Sequence, residues 1–311
     1  MSANDPAEPY EPPIAHPLRA IGTHTFDFGR QVAVMAIVNR TPDSFYDQGR
    51  TFGLDAAVLA AVAAVAAGAD WVDIGGVPFA PGEALPVEDE LERIVPVVRE
   101  LRAATDVVIS VDTFHAAVAE AAIAAGADVV NDTTALHDPD LARVVAESDA
   151  TLVITHSLAA PAGSGPRTQF ATPQYDEVEV EVAALLRERV DRAVAGGVRE
   201  DRIVLDPGFD LNKNTLDTLR LARRLPVVAD LGFPVLAAMS NKDFIGEVLE
   251  AEKPDRVDGS LAAAVFAVVR GARIVRVHEV ARSRDAVRMA EALMGWRAPA
   301  NPVHNMGVAN A

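Results

Sequence analysis

The sequence predicts an α/β protein, a (β/α)8 TIM barrel, and three observations predict it. Eight short runs rich in Val, Ile and Leu cross the 311-residue chain. Buried parallel strands read this way because both of their faces are covered. Helical patterns lie between the runs. Each run also carries a polar or charged residue at or just beyond its C-terminal end, and in a parallel barrel that rim is where ligands bind. The alternative, an open doubly wound sheet, lacks a G-x-G-x-x-G turn after its first strand.

In chain order, His24–Arg30 reads as a small hairpin that plugs the barrel bottom. The first strand is Val32–Val38, ending at Asn39, and the Ala/Leu/Val-rich segment Leu54–Ala67 is the first helix. Trp71–Ile74 carries Asp73, and the helix Val87–Ala104 places Leu91, Ile94, Val95, Val98 and Leu101 at helical spacing. Val107–Val111 leads to Asp112, with a helix over His115–Ala125. Val129–Val130 leads to Asn131 and Asp132, with a helix over Pro139–Glu147. Thr151–Ile154 leads to His156 and a long Ala/Pro/Gly/Ser-rich loop, Leu158–Gln174, which is either an active-site cover or plain surface. A helix over Asp176–Ala195 follows, then Ile203–Leu205 with Asp206, and a helix over Thr215–Leu231. Pro234–Met239 leads to Lys242, with a helix over Ser260–Arg270. Ile274–Val277 carries Arg276 and leads to His278, and Ser283–Gly295 is the last helix. Glycine follows several helices, at Gly68, Gly126, Gly197 and Gly271, where it accepts the left-handed conformation that ends a helix. The expected organisation is one domain over 21–297 with flexible tails at 1–20 and 298–311.

Half of the residues are hydrophobic, so a sizeable core is available. The chain has no cysteine, which excludes disulfides and thiolate metal sites. A net charge of −17 argues against nonspecific nucleic-acid binding, which needs a basic face. No apolar run approaches the ~20 residues of a spanning helix, and the N-terminus lacks the pattern of a signal peptide. A cytoplasmic protein with no membrane partner is the simplest expectation.

Asp112, Asn131 and Asp206 end separate strands. Each by itself is a good helix cap. Together on the rim, they read the donor edge of a flat heterocycle such as a pterin or guanine, because carboxylates accept from an amino group and a ring N–H. The chain has three lysines, and two of them, Lys213 and Lys242, follow strands directly. Lys242 is expected to face the cavity as a compact point charge; for Lys213 a surface role weighs equally. Arg276 and His278 alternate by two, so both point to one side of the last strand. With Asn39 on the neighbouring first strand they form an anion site that suits a diphosphate. Asn39 is also a candidate oxygen ligand for a Mg²⁺ bridging the phosphates.

The motifs resemble the signature of dihydropteroate synthases. They are Met35–Phe45, Asp73-Ile-Gly-Gly with Pro81-Gly82, Ser110-Val-Asp112-Thr113, Val130-Asn131-Asp132, Leu205–Phe209 with Lys213-Asn214, Ser240 with Lys242, and Arg276-Val-His278. The resemblance spans about Val34 to Val280. It implies a pterin-binding TIM barrel, commonly a cytoplasmic homodimer assisted by Mg²⁺. The implied reaction condenses 6-hydroxymethyl-7,8-dihydropterin diphosphate with p-aminobenzoate and releases diphosphate. The resemblance further implies that Asp112, Asn131, Asp206 and Lys242 hold the pterin, and that Asn39, Arg276 and His278 with Mg²⁺ hold the diphosphate. Lys242, Arg276 and His278 are then the catalytic set.

Four departures stand out. The family's Ser-Thr-Arg before Pro-Gly is Pro78-Phe79-Ala80 here, its Ser-Arg-Lys is Ser240-Asn241-Lys242, its Gly-Lys-Asn is Asn212-Lys213-Asn214, and the valine after the first Asn is Arg40. Neither Phe79 nor Ala80 can pair with an arylamine carboxylate. The pterin half is therefore expected to be intact and the p-aminobenzoate half rebuilt, as in a divergent second copy of the family. The alternative to a working synthase is a pterin-binding paralogue that does not condense p-aminobenzoate. A corrinoid-dependent methyltransferase shares the barrel, but Thr41–Phe45 and the Arg276/His278 pair weigh against it.

Overall fold

The computed structural model describes residues 9–39, 53–76, 85–158 and 174–304. A two-stranded antiparallel hairpin, β1 (Leu18–Ile21) and β2 (His24–Asp27), precedes the barrel. The barrel strands are β3 (Ala33–Asn39), β4 (Trp71–Gly75), β5 (Val108–Asp112), β6 (Val129–Asp132), β7 (Thr151–Thr155), β8 (Ile203–Asp206), β9 (Val235–Ala237) and β10 (Ala272–Val277). They close in the order β10-β3-β4-β5-β6-β7-β8-β9, with parallel pairing throughout. The eight apolar runs are these eight strands, and the barrel expected from sequence is the fold.

The helices are α1 (Leu54–Ala66), α2 (Val87–Ala104), α3 (Ala116–Ala125), α4 (Leu141–Ala146), α5 (Val178–Ala195), α6 (Thr215–Arg223), α7 (Pro226–Ala229), α8 (Asp243–Leu249), α9 (Val257–Val269) and α10 (Val280–Leu293). The single helix expected over Thr215–Leu231 is broken between α6 and α7. Pro226 sits at the first position of α7, where its missing N–H is harmless; inside a continuous helix it would remove a bond. The short helix α8, directly after Lys242, adds to the expected set. Gly68, Gly126, Gly197 and Gly271 do turn left-handed after their helices, with φ between 95° and 114°.

Alternation along each strand sorts side chains into two sets. Val34, Ala36, Val72, Ile74, Ile109, Val111, Leu152 and Ile154 pack outward under the helices. Ala33, Met35, Trp71, Val108, Val129, Val153, Val204, Leu236 and Ile274 fill the barrel interior. A hairpin does close the bottom, but it runs from Leu18 to Asp27, and only its second strand lies in the expected His24–Arg30 segment. Phe26 and Phe28 stack with centroids 5.6 Å apart, and Phe26 meets the Trp71 ring edge-on at 5.8 Å. Arg273, fully buried, donates from Nε to the Phe28 carbonyl at 2.9 Å and lies 4.5 Å over the Trp296 ring. Residues ahead of the hairpin are pinned to this end as well: the Tyr10 N–H donates to Val269 O and the Ala15 N–H to Gly232 O. The apolar filling therefore occupies the lower barrel and leaves the upper inward positions to polar side chains.

Candidate active site

On β4, Trp71 points inward, so Asp73 does too, one step nearer the rim. It is fully buried. Ser110 donates to its Oδ1 at 2.6 Å, and Asn131 Nδ2 and Arg276 Nε donate to its Oδ2 at 3.1 and 2.7 Å. Arg276 Nη2 also lies 3.8 Å from Asp112 Oδ2. Burial by itself would make the Arg276 guanidinium easier to deprotonate; Asp73 and Asp112 outweigh it and raise its pKa. Arg276 reaches across β3 and is paired with the acids, because a guanidinium inside a barrel needs a counter-charge.

The same network orients Asn131. Its amino group faces a carboxylate, so its Oδ1 is the free end. That oxygen is buried with no hydrogen-bond partner among the described residues. The wall made by Asn131, Asp112 and Asp206 thus presents acceptors, as a donor-rich heterocycle edge requires.

Asp206 ends β8, and its Oδ1 accepts the Gly208 N–H at 2.7 Å. Burial pushes its pKa up to about 6, against the Gly208 N–H and the charges of Lys242, Arg276 and Lys213. Gly208 has φ +66°, and a Cβ there would lie 2.3 Å from the His156 carbonyl oxygen, so only glycine fits. Lys213 settles between its two readings differently from either. Its Nζ donates to Gly208 O at 2.8 Å and Leu211 O at 3.0 Å and pairs with His156 Nδ1 at 2.9 Å. Three acceptors match the three ammonium protons. Burial pushes the Lys213 pKa down to about 7. Burial, then Lys213, holds His156 well below its ordinary value. Lys213 is a buried brace for the Asp206 loop.

Asn212, where the family has glycine, has φ +52°, a conformation asparagine tolerates. Its Oδ1 accepts the Leu158 N–H at 3.2 Å, and its carbonyl accepts the Tyr175 hydroxyl at 2.9 Å. Asn212 thus ties the exit of β7 and the approach to α5 to the Asp206 loop. Asn212→Gly keeps the backbone but deletes the side-chain acceptor. We expect a loss of about 1 kcal/mol in urea unfolding and faster amide exchange at Leu158; unchanged exchange there would refute the tie.

Lys242 is the residue ahead of α8 and is half-buried. Burial lowers its pKa, opposed by Asp210 and Asp206 and reinforced by Arg276. Its turn is clamped from α9: Arg256 Nη1 donates to Asn241 O, Lys242 O and Asp243 Oδ1 at 3.2, 3.3 and 2.9 Å. Ser260 Oγ accepts the Asn241 N–H at 3.0 Å. Asn241 has φ +58°. His278 meets Ser240, with Nδ1 3.0 Å and the backbone N–H 3.3 Å from Oγ. Asn39 ends β3 opposite Gly75; its side chain lies outside the description, as do Arg40, Thr41–Phe45, Pro78-Phe79-Ala80 with Pro81-Gly82, and most of the Leu158–Gln174 loop.

The rim thus joins Asn131 and Arg276 through Asp73 and Asp112 through Arg276, and brings Asp206 and Lys242 within electrostatic reach of Arg276. Sequence reasoning noted Asp73 as a strand polar residue but gave it no role. Its signal was parity: a charge two residues after an inward Trp71 must be satisfied inside the barrel. Arg256 left no signal, since its role depends on how α9 meets the Lys242 turn. Among the described residues, no group of three or more His, Asp or Glu is arranged to hold a metal ion.

A family model described as pterin binding enzyme matches residues 35–278. The chain is 43% identical over 285 residues to "Inactive dihydropteroate synthase 2" of Mycobacterium leprae, covering 89% of this chain and 98% of that one. It is 38% identical over 300 residues to the dihydropteroate synthase of Synechocystis, covering 96% and 100%. The solved dihydropteroate synthase of Xanthomonas albilineans with 4-aminobenzoic acid superposes with a TM-score of 0.80 at 40% identity, covering 89% and 98%. The chain belongs to the pterin-binding enzymes, as a divergent member of the dihydropteroate synthase family.

Proposed function

We propose that this chain is a dihydropteroate synthase-type transferase whose barrel mouth binds 6-hydroxymethyl-7,8-dihydropterin diphosphate and condenses it with p-aminobenzoate. The observation that carries the pterin reading is the buried acceptor wall, with Asn131 Oδ1 unpartnered among the described residues, beside Asp112 on β5 and one strand removed from Asp206 on β8. Lys242 faces this wall as the pterin-side cation. Arg276 and His278, with Asn39, take the diphosphate. Its departure leaves a cation at the pterin methylene, which the arylamine attacks. The protein's part is positioning and stabilisation of the leaving charge. Mg²⁺ belongs to this reading as the diphosphate's counter-ion, with Asn39 as its protein ligand. The described residues provide no cage for it, so it would be held chiefly by phosphate oxygens. A cytoplasmic homodimer completes the reading. Phe266 on α9, with Met289 and Leu293 on α10, is exposed, which supports a partner on that side.

A second reading rests on its own observations. The relatives at 43–44% identity carry the name inactive dihydropteroate synthase 2, and Pro78-Phe79-Ala80 and Asn241 stand where the family has a hydroxyl pair and two arginines. A paralogue with these features binds the pterin without condensing it. One experiment separates the readings: diphosphate release by the purified chain, with and without p-aminobenzoate, alongside calorimetric titration of the pterin diphosphate. Release that needs both substrates establishes the transferase. Pterin binding without release establishes the paralogue, and then Ala80→Arg with Asn241→Arg is expected to bring release above background. No pterin binding overturns both.

A further inference from the structure

Thr155 is the last residue of β7. Leu152 and Ile154 of this strand face the helices, and Val153 belongs to the barrel filling. Thr155 shares the parity of Val153, so its side chain points inward, one step nearer the rim. Its register partner on β8 is Asp206, and paired strands lie about 4.8 Å apart. On the other side of β7, Asn131 of β6 pairs with Val153. Thr155 therefore stands between the Asn131 and Asp206 positions of the acceptor wall.

Thr155 is 1% exposed, and its hydroxyl has no hydrogen-bond partner among the described residues. Burying a hydroxyl unpaired is unfavourable, and valine would fill the same space without that cost. The neighbouring Asn131 Oδ1 is in the same condition. Two unpaired polar atoms on adjacent strands, both turned into one mouth, mark a place where a ligand supplies the partners.

We infer that Thr155 is a specificity-determining residue of the pterin site, its hydroxyl hydrogen-bonding the bound heterocycle between Asn131 and Asp206. This rests on the pterin reading above. The chemistry assigns the bond. Asn131 Oδ1 and the ionised Asp112 and Asp206 only accept, so they take the ring's N–H groups. The Thr155 hydroxyl both donates and accepts, so it serves a ring nitrogen or carbonyl that the carboxylates would repel. A ring edge that alternates donors with acceptors is thereby preferred over one that carries donors alone.

The test is calorimetric titration of the full chain with 6-hydroxymethyl-7,8-dihydropterin diphosphate, comparing wild type, Thr155→Val and Thr155→Ser, with thermal melts of the unliganded proteins. Thr155→Val is expected to weaken binding about five- to tenfold, the size of one neutral hydrogen bond. Thr155→Ser retains the hydroxyl and is expected to bind within about twofold of wild type. The unliganded Thr155→Val protein is expected to melt at or above the wild-type temperature, since it loses no internal bond. A purely structural hydroxyl gives the opposite pattern, a lower melt with unchanged affinity, and that pattern overturns the inference. Equal affinity of wild type and Thr155→Val overturns it alone and leaves the pterin reading standing. A wild type that binds no pterin overturns both.

Discussion

Replacing Asp73 with alanine is expected to destabilise the barrel by about 3–5 kcal/mol, the penalty for stranding a buried charge. Asp73 is fully buried and receives hydrogen bonds from Ser110, Asn131 and Arg276. Without it, three donors lose their acceptor. Arg276 keeps the 3.8 Å approach to Asp112 and the more distant charge of Asp206. For a domain of this size the melting temperature should fall by on the order of 10 °C. Asp73→Asn retains the shape and should lie between the two proteins. Removing the stranded charge as well is the informative control: Arg276→Met in the Asp73→Ala background is expected to recover part of the loss, so the two effects will not add. Thermal melts of these proteins and of the Arg276→Met single variant decide it. Additive losses, or an Asp73→Ala protein that melts like wild type, would show that the network is incidental. The functional consequence follows from the same bonds. Asp73 orients the Asn131 amide, so Asp73→Ala should also weaken pterin binding without touching the ligand.

Asp206 should make stability and pterin binding respond to pH in opposite directions. Its folded pKa of about 6 lies above the ordinary 3.8, with burial the main cause. The folded chain therefore holds a proton that the unfolded chain releases between these two values. Stability from this group is greatest below pH 3.8 and is lost as pH rises through about 6. The loss is on the order of 3 kcal/mol from the size of the shift. Asp206→Asn should flatten that part of the curve. Lys213, held at about 7 against an ordinary 10.5, acts in a separate window, where stability rises between those two values. Pterin binding needs the carboxylate, because the ring's N–H groups donate to it. Affinity should therefore rise as pH passes about 6. Asp206→Asn should weaken binding at pH 7.5 by roughly 10- to 150-fold, the range for hydrogen bonds to a charged group. Titrations at pH 5 and 7.5 with both proteins test this. Affinity that does not change with pH in wild type would show that Asp206 does not meet the ligand.

Much of the fold was legible because the barrel's physical demands fall on short stretches of chain. A strand covered on both faces must be apolar, a helix that turns back into a strand favours glycine, and the eight runs announced eight strands. The break at Pro226 was legible in principle, since proline cannot continue a helix, but the apolar spacing of Thr215–Leu231 masked it. Helix α8 is seven residues long, too short for periodicity to register. Within the site, parity placed Arg276 inside the barrel but said nothing of its partner. Thr155 was hidden by its own chemistry, because threonine is an ordinary strand residue and nothing in the sequence says whether its hydroxyl is paired.

The order of apolar runs and the glycines between them determined the barrel, and the motifs at the strand ends marked the family, since each depends on residue type and spacing along the chain. Tertiary structure alone decided that Arg276 pairs with Asp73, that Lys213 braces a loop, and that Asn131 and Thr155 retain hydrogen-bonding capacity unused among the described residues. Those outcomes depend on which side chains meet across the barrel, where desolvation makes every buried polar group find a partner or await one, and closure of the sheet sets the distances.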